Sequence, residues 1–280
     1  MIIDIHTHVF PDHMAAKVID KLSRLSRSIA FTDGTLDGLR RSMEQAGIDR
    51  SIVLPVATNA HQVEKINDLS ARSNEKQSDV IYFGAMHPDF MNYSDELSRI
   101  ARLGLKGIKI HPIYQETDID DIKFLRILDR AAELGLIVIA HAGLDIGFPG
   151  VVRCSPMMIR RVVDQIGDFK FVAAHMGGWR NWDEVPTTLA DTKIFIDTAF
   201  STGRIVPRGD CRWNEKDLRM LDGDQFMKFV DAFGADRILF GTDSPWSDQS
   251  ESKKFIEGLP LDEDARKKIL GGNAQKLLDQ

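Results

Sequence analysis

A chain of 280 residues, 43% hydrophobic and 28% charged, carries enough apolar material for one large core and is read as a single domain over 1–280. Its net charge of −6 leaves no basic footprint for nucleic acid, and no apolar run approaches the roughly 20 residues of a membrane span. Two cysteines, Cys154 and Cys211, cannot staple a fold; with no leader pattern ahead of the first strand, the expected location is the cytoplasm.

The chain opens MIIDIHTHVFP, read as a strand over 1–6. Alternate residues share a strand face, so Asp4, His6 and His8 are expected on one side and Ile3 and Ile5 on the other. A long connection follows, expected to carry an extra helix over the end of the sheet. TLDGLRRSMEQAG then predicts a helix over 35–47, with threonine at its N-cap and glycine at its stop. Further strands are predicted at SIVLPV (51–56), VIYFGAM (80–86) and GIKIH (107–111). IDDIKFLRILDRAAELG predicts a helix over 119–135 with Ile122, Leu125, Leu128 and Ala132 as its apolar stripe. LIVIAH (136–141) is the fifth strand, and SPMMIRRVVDQIG (155–167) a helix entered through Ser-Pro. KFVAAH (170–175) and KIFIDTAF (193–200) follow. A second long connection leads to a helix over 223–234 and to the eighth strand, RILFGTD (237–243). DARKKILGGNAQKLL supplies the last helix.

Eight apolar strands alternating with helices imply a parallel sheet covered on both faces. Eight units in this length predict a closed (β/α)8 TIM barrel. An open doubly wound sheet would carry a glycine-rich phosphate loop after its first strand, and none is there.

Ligand-type side chains collect at the strand ends: His6 and His8, His87, Lys109 and His111, His141, His175 and Asp243. Of eight histidines only His13 and His61 lie elsewhere, so a barrel would ring one mouth, its C-terminal face, with imidazoles. His6 and His8 lie about 7 Å apart along a strand and can converge on one ion, with His141 and Asp243 arriving from other strands. Such a nitrogen-rich set with one carboxylate suits Zn2+, with Mn2+ the other candidate, better than calcium or magnesium. The ion would make a bound water acidic near neutrality, Asp243 would take its proton, and His175 would hold the hydroxide or polarise the substrate. Lys109 would pair with a substrate anion or, carbamylated, bridge a second metal. Asp4 reads equally as an anchor for backbone amides and as a chemical group. His87 and His111, each before a proline, read as strand caps, with His111 also a candidate substrate contact. Trp179, Trp182, Trp213 and Trp246 would wall the pocket or pack the long loops. Arg153 on the fifth loop and Arg204, Arg208 and Arg212 on the seventh suggest a small carboxylated substrate, unless they balance acidic neighbours such as Asp210 and Glu215.

The order HTH, AHAG, AHMGG and FGTDSPW, with the ending KILGGNAQKLL, resembles the amidohydrolase superfamily. More narrowly it is similar to the amidohydrolase-related group that includes aminocarboxymuconate-semialdehyde decarboxylase, resorcylate decarboxylase and pyrone-dicarboxylate lactonase. The resemblance runs from Ile2 to the last helix, and FGTDSPW (240–246) is its most specific piece. It implies one divalent metal ion held by His6, His8, His141 and Asp243, with His175 assisting the bound water. Two-metal members of the superfamily often bring a carbamylated lysine from strand four, where Lys109 falls. The narrower group works with one metal, so Lys109 is expected as a substrate-binding cation. The expected function is a metal-dependent hydrolase acting through a metal-bound hydroxide on an ester, lactone or amide of a small anionic substrate. A non-oxidative decarboxylase of an aromatic or unsaturated carboxylate would share the same ligands, and a catalytically inactive metal-binding barrel is the remote third reading. A homodimer is compatible with the sequence.

Overall fold

The computed structural model describes residues 1–209 and 214–280. The candidates Arg212, Trp213, Cys211 and Asp210 lie outside the described residues. Eight strand positions form the barrel: β1 (Ile3–Thr7), β2 (Arg50–Val53), β3 in two pieces (Val80–Tyr82 and Gly84–Ala85), β4 (Gly107–Ile110), β5 (Ile137–Ala140), β6 (Phe171–Ala173), β7 (Phe195–Asp197) and β8 (Ile238–Leu239). Each pairs with the next in parallel. β3 breaks at Phe83, whose N–H donates to Val53 O at 3.0 Å while the following piece turns to β4. The ring closes between β8 and β1. Ile5 N donates to Phe240 O at 2.9 Å, Asp243 N to His6 O at 2.8 Å, and Thr7 bridges Ser244 in parallel. The fold is the expected (β/α)8 barrel.

Ile3, Ile5, Ile52, Phe83, Ile139 and Leu239 fill the barrel interior, floored by Ala274, Leu277 and Leu278 of the last helix, Asn273–Asp279. Strand residues facing the other way, such as Ile108, Ile110, Val138 and Ala140, pack against the helix layer. Two apolar faces per strand explain the near-continuous β-branched text.

The helices start and stop where their caps dictate. Thr35 accepts from Gly38 N, Gly47 ends that helix at φ 65°, and Ser155 accepts from Met158 N ahead of Pro156. The helix Ile122–Glu133 departs from expectation in its stripe: Phe124, Ile127, Leu128 and Ala131 are buried, while Ile122 is 71% exposed. Asp121 caps the helix through Lys123 N, and the buried row runs i, i+3, i+4, i+7 from Phe124, keeping Leu128 of the expected stripe. The first long connection does carry a helix, Asp12–Ser26. The segment after it is tied to the seventh loop by Ile29 N to Val206 O (2.8 Å) and to the eighth by Phe31 N to Pro245 O (2.7 Å). Among the described residues, no helix is long and apolar enough to cross a membrane.

The opening strand corrects a simple alternation. Its pairing with β2 shifts register between Asp4 and Thr7, the signature of a bulge that re-aims side chains. Asp4 and His6 therefore serve different layers. Asp4 turns to the helix Gln249–Glu257, accepting from Gln249 Nε2 (2.7 Å) and Thr242 Oγ1 (2.6 Å) as well as the amides of Thr242 and His6. His6 turns inward to Lys109 and Asp197. Of the two readings of Asp4, the anchor is the one its contacts describe. Burial pushes its carboxyl up to about 7 against the pull of these four donors. Asp4→Ala would leave the donors without an acceptor, and is expected to cost about 3 kcal/mol in urea unfolding. A loss below about 1 kcal/mol would show that the seam between β8 and β1 does not depend on this carboxylate.

Candidate metal centre

The site is built from strand ends, and its logic is in where each imidazole spends its outer nitrogen. His6 Nδ1 lies 2.8 Å from Asp197 Oδ2, His8 Nδ1 2.8 Å from Leu54 O, and His175 Nδ1 2.9 Å from Ala199 O. All three partners only accept, so each ring carries its proton on Nδ1 and turns a bare Nε2 inward. His141 is reversed: its Nε2 faces Leu144 O at 3.1 Å, leaving Nδ1 bare.

These bare nitrogens face other electron pairs. His6 Nε2 and His8 Nε2 stand 3.2 and 3.1 Å from Asp243 Oδ1, and His175 Nε2 stands 2.9 Å from His141 Nδ1. Lone pairs at these separations repel unless a proton or a cation lies among them. Burial, then the Lys109 charge, pushes His6 well below the ordinary imidazole range; burial, His111 and His175 do the same to His141. Extra protons on these rings are thus disfavoured. Burial also opposes the ionised Asp243, yet its carboxyl is held well below the usual range by the His8 and His6 rings beside it, which answer it through a shared proton or through a cation lying between them. A divalent cation fits what is missing: neutral imidazoles, an ionised carboxylate and a nitrogen-rich first coordination sphere.

Lys109 lies 1% exposed with Nζ 3.0 Å from His6 Nε2. Burial pulls its pKa down to about 8, against Asp197 and Asp243, which raise it. Asp197, at the end of β7, is the site residue that strand-end reading missed. It accepts from His6 Nδ1, His175 N (2.9 Å) and Ala199 N (3.1 Å), and so orients two imidazoles at once. Its signal was present, since KIFIDTAF also ends an apolar run on a ligand-type residue. Backbone geometry is strained here too: His175, Met176 and Asp243 sit at φ 61°, 53° and 67°, a left-handed region unusual for side-chain-bearing residues.

A second histidine group lies beside the first. His111 Nε2 is 3.4 Å from Asp145 Oδ2, and its ring stacks on His141 (4.1 Å, 16°) and on Tyr114 (3.9 Å, 21°). Near-parallel rings aim their in-plane lone pairs along parallel planes, so His111 and His141 cannot both ligate one ion about 2 Å away. The stack is a wall for His141. Asp145 and Tyr114 are loop residues with no sequence signal. The sequence reads His87 as a cap bonding a loop carbonyl; here its Nδ1 instead accepts from the backbone amide of Asp89 at 3.2 Å, within its own loop.

The structure brings His6, His8, Lys109, His141, His175 and Asp243 together, with His111 stacked alongside. Trp246 is tied to them by its N–H to Asp243 O (2.8 Å), with its ring against the cluster of Trp179 and Phe200. The candidate substrate-binding arginines are placed differently. Arg153 pairs with Asp118 (2.9 Å) and Arg204 with Glu251 (3.0 Å), both on the surface. Arg208 stands 3.7 Å from Asp20 beside a groove of about 610 Å³ between the first and seventh loops. Among the described residues, the buried cation at the histidine ring is Lys109.

Inward lone pairs from strand ends give this (β/α)8 barrel a candidate metal centre at its C-terminal mouth. A family model described as amidohydrolase matches residues 3–280, and the chain belongs to that family. No curated protein sequence matches it. Three solved structures share the fold over nearly the whole chain. An uncharacterised TIM-barrel protein from Bordetella bronchiseptica is 19% identical (TM-score 0.76; 99% of this chain, 98% of that one). The 5-carboxyvanillate decarboxylase LigW from Sphingomonas paucimobilis is 16% identical (TM-score 0.70; 99% and 98%). A dihydroxybenzoic acid decarboxylase from a Polaromonas species, with bound manganese and the inhibitor 2-nitroresorcinol, is 17% identical (TM-score 0.69; 99% and 96%).

Metal analysis of the purified protein is expected to find about one equivalent of a divalent transition metal, lost in His6→Ala and in Asp243→Asn. Asp197→Asn should keep the ion but weaken its binding about 10–100-fold in competition with a chelator, because His6 loses the carboxylate that fixes its tautomer. Unchanged affinity in Asp197→Asn would remove Asp197 from the site.

Proposed function

We propose that the chain is a metal-dependent, non-oxidative decarboxylase of a small aromatic or unsaturated carboxylate, acting as one domain over residues 1–280. The observation that carries this is Lys109: a buried ammonium beside His6 Nε2, facing a set of ligands that calls for one divalent ion. A buried cation of this kind is stable when an anion answers it, which points to an anionic substrate. The Sphingomonas and Polaromonas proteins of the same fold are both decarboxylases of aromatic acids by name, and the second holds manganese. These likenesses favour decarboxylation over the hydrolysis expected from the wider family.

His6 and His8 through Nε2, His141 through Nδ1 and Asp243 through Oδ1 would hold one ion, zinc or manganese. When bound, the ion supplies a fixed positive charge against the negative charge that develops on the substrate. Lys109, with a pKa near 8, carries charge at neutral pH and grips a substrate anion. His175 has Nδ1 committed to Ala199 O, so Nε2 is the atom that holds or moves a proton. In the reaction, His175 Nε2, bare at rest, takes up a proton from solvent and delivers it to the carbon bearing the leaving carboxylate, which returns the ring to its neutral Nδ1–H form. The C–C bond then breaks, its electron pair returns to the unsaturated system, and CO2 departs.

Hydrolysis of an ester, lactone or amide would use the same ligands, so product analysis decides. Metal-loaded protein is incubated in deuterated solvent with a panel of hydroxylated benzoates and unsaturated dicarboxylates, alongside lactones and esters. The expected result is CO2 release with deuterium at the vacated carbon. Water uptake by lactones or esters without CO2 overturns the proposal in favour of the hydrolase. Lys109→Met is expected to keep the metal and raise KM for the carboxylate about tenfold or more.

A further inference from the structure

The residues of the candidate centre are roofed over. His6, Lys109, His141, His175 and Asp243 range from 0% to 8% exposed, and the side chain of His8, the most open, is 15% exposed. A ligand that must touch them needs an entrance that opens.

Strand order shows what forms the roof. In a ring of eight strands β1 and β5 stand opposite each other, so a contact between the segments that follow them must cross the mouth. After β5 the chain makes a short antiparallel hairpin, Leu144–Asp145 against Phe148–Val152, and after β1 comes the helix Asp12–Ser26. At the turn of the hairpin, a Cβ on Gly147 would lie 3.0 Å from Leu25 Cγ. The backbone of one loop therefore rests on a side chain of the opposite loop. Neighbouring loops can meet at the rim, but opposite loops meet only over the centre.

The root of this span is fixed and its tip is not. Leu144 N donates to Trp179 O and Trp179 N to Ala142 O, both at 2.9 Å. A Cβ on Gly143, at φ 84°, would lie 2.3 Å from Trp179 N, so glycine alone fits at the root. Asp145 then faces His111 at 3.4 Å and Phe148 faces the Tyr114 ring at 5.4 Å, while Pro149, Gly150 and Val151 beyond them are exposed. The helix on the other side is thinly held. Its buried residues are Ala15, Ser23 and Ser26, none of them large and apolar, and Leu25 is 40% exposed. The groove of about 610 Å³, lined in part by Ala16, Ile19 and Ser23, leaves that side of the helix unpacked. Elements with little buried apolar surface are the ones that open readily, and a two-stranded hairpin is marginal on its own.

We infer that the Gly147 turn and Leu25 form a strap over the mouth, and that ligands reach the centre when this contact parts. The inference rests on the proposed site but not on which reaction runs beneath it.

The test locks the strap. Leu25 Cβ is one bond from Cγ, so the two Cβ atoms of a Leu25→Cys/Gly147→Cys variant would lie no more than about 4.5 Å apart, within disulfide reach. In a Cys211→Ser background this variant is loaded with zinc and then oxidised. Zinc transfer to an excess of a chromophoric chelator is timed before and after reduction with a phosphine. The oxidised protein is expected to give up zinc about tenfold or more slowly than the reduced one. Leu25→Ala, at an exposed helix position, is expected to give it up about threefold or more faster than wild type with little change in Tm. Both variants keep every proposed ligand, so the rate reads the gate. Equal rates in the oxidised and reduced forms, no disulfide on oxidation, or a wild-type rate in Leu25→Ala would each overturn the strap. Should the protein hold no zinc, the metal reading falls and the same lock is read with diethyl pyrocarbonate. Oxidation should then slow modification of His8 and His175 about tenfold while the exposed His13 and His61 react equally in both forms. Equal rates at His8 and His175 would overturn the strap by itself.

Discussion

Two bare nitrogens each lie within 3.2 Å of one carboxylate oxygen inside this barrel, and a further pair of bare nitrogens faces off at 2.9 Å. Electron pairs in a low-dielectric interior stay at such distances only when positive charge lies among them. That requirement organises the rest of the molecule. It explains why each imidazole gives its proton outward to a carbonyl or carboxylate, and why a lysine is tolerated 1% exposed nearby.

The scaffold holds this unfavourable gathering in place by over-determining its geometry. Asp197 fixes His6 and the backbone of His175, while Leu54, Leu144 and Ala199 supply carbonyls that set the remaining tautomers. Asp243 and His175 adopt left-handed backbone conformations that cost free energy in isolation, and the closure of β8 on β1 through Asp243 N and His6 O locks one of them. Asp4 ties that same seam to the helix layer from behind. Metal affinity, barrel closure and stability therefore share residues.

Membership of the amidohydrolase family and a neutral-imidazole ligand set leave two chemistries open, addition of water or loss of CO2. They differ in what lies around the ion rather than in what holds it. Here the surroundings are a buried cation, Lys109, and an aromatic wall of Tyr114 and His111.

Much of this was legible in the amino-acid sequence. Eight apolar runs, their caps and the ligand-type residues closing them follow from local rules: side chains alternate on strands, helices stop at glycine, and barrel mouths collect strand ends. His6, His8, His141, His175, Lys109 and Asp243 could all be found from such patterns, and Asp197 lay within reach of the same rule. The bulge that sends Asp4 outward and His6 inward was not legible, because it depends on pairing with β2 and closure against β8. Arg153 pairs with Asp118 and Arg204 with Glu251, contacts that local patterns do not show, since ion pairs form between segments distant in sequence. The stack of His111 on His141 likewise arises only where loops meet. The sequence by itself determined which groups were available and which strand end each would occupy. The tertiary structure decided which way each pointed and what it faced, because long-range hydrogen bonds rather than local propensity set those directions.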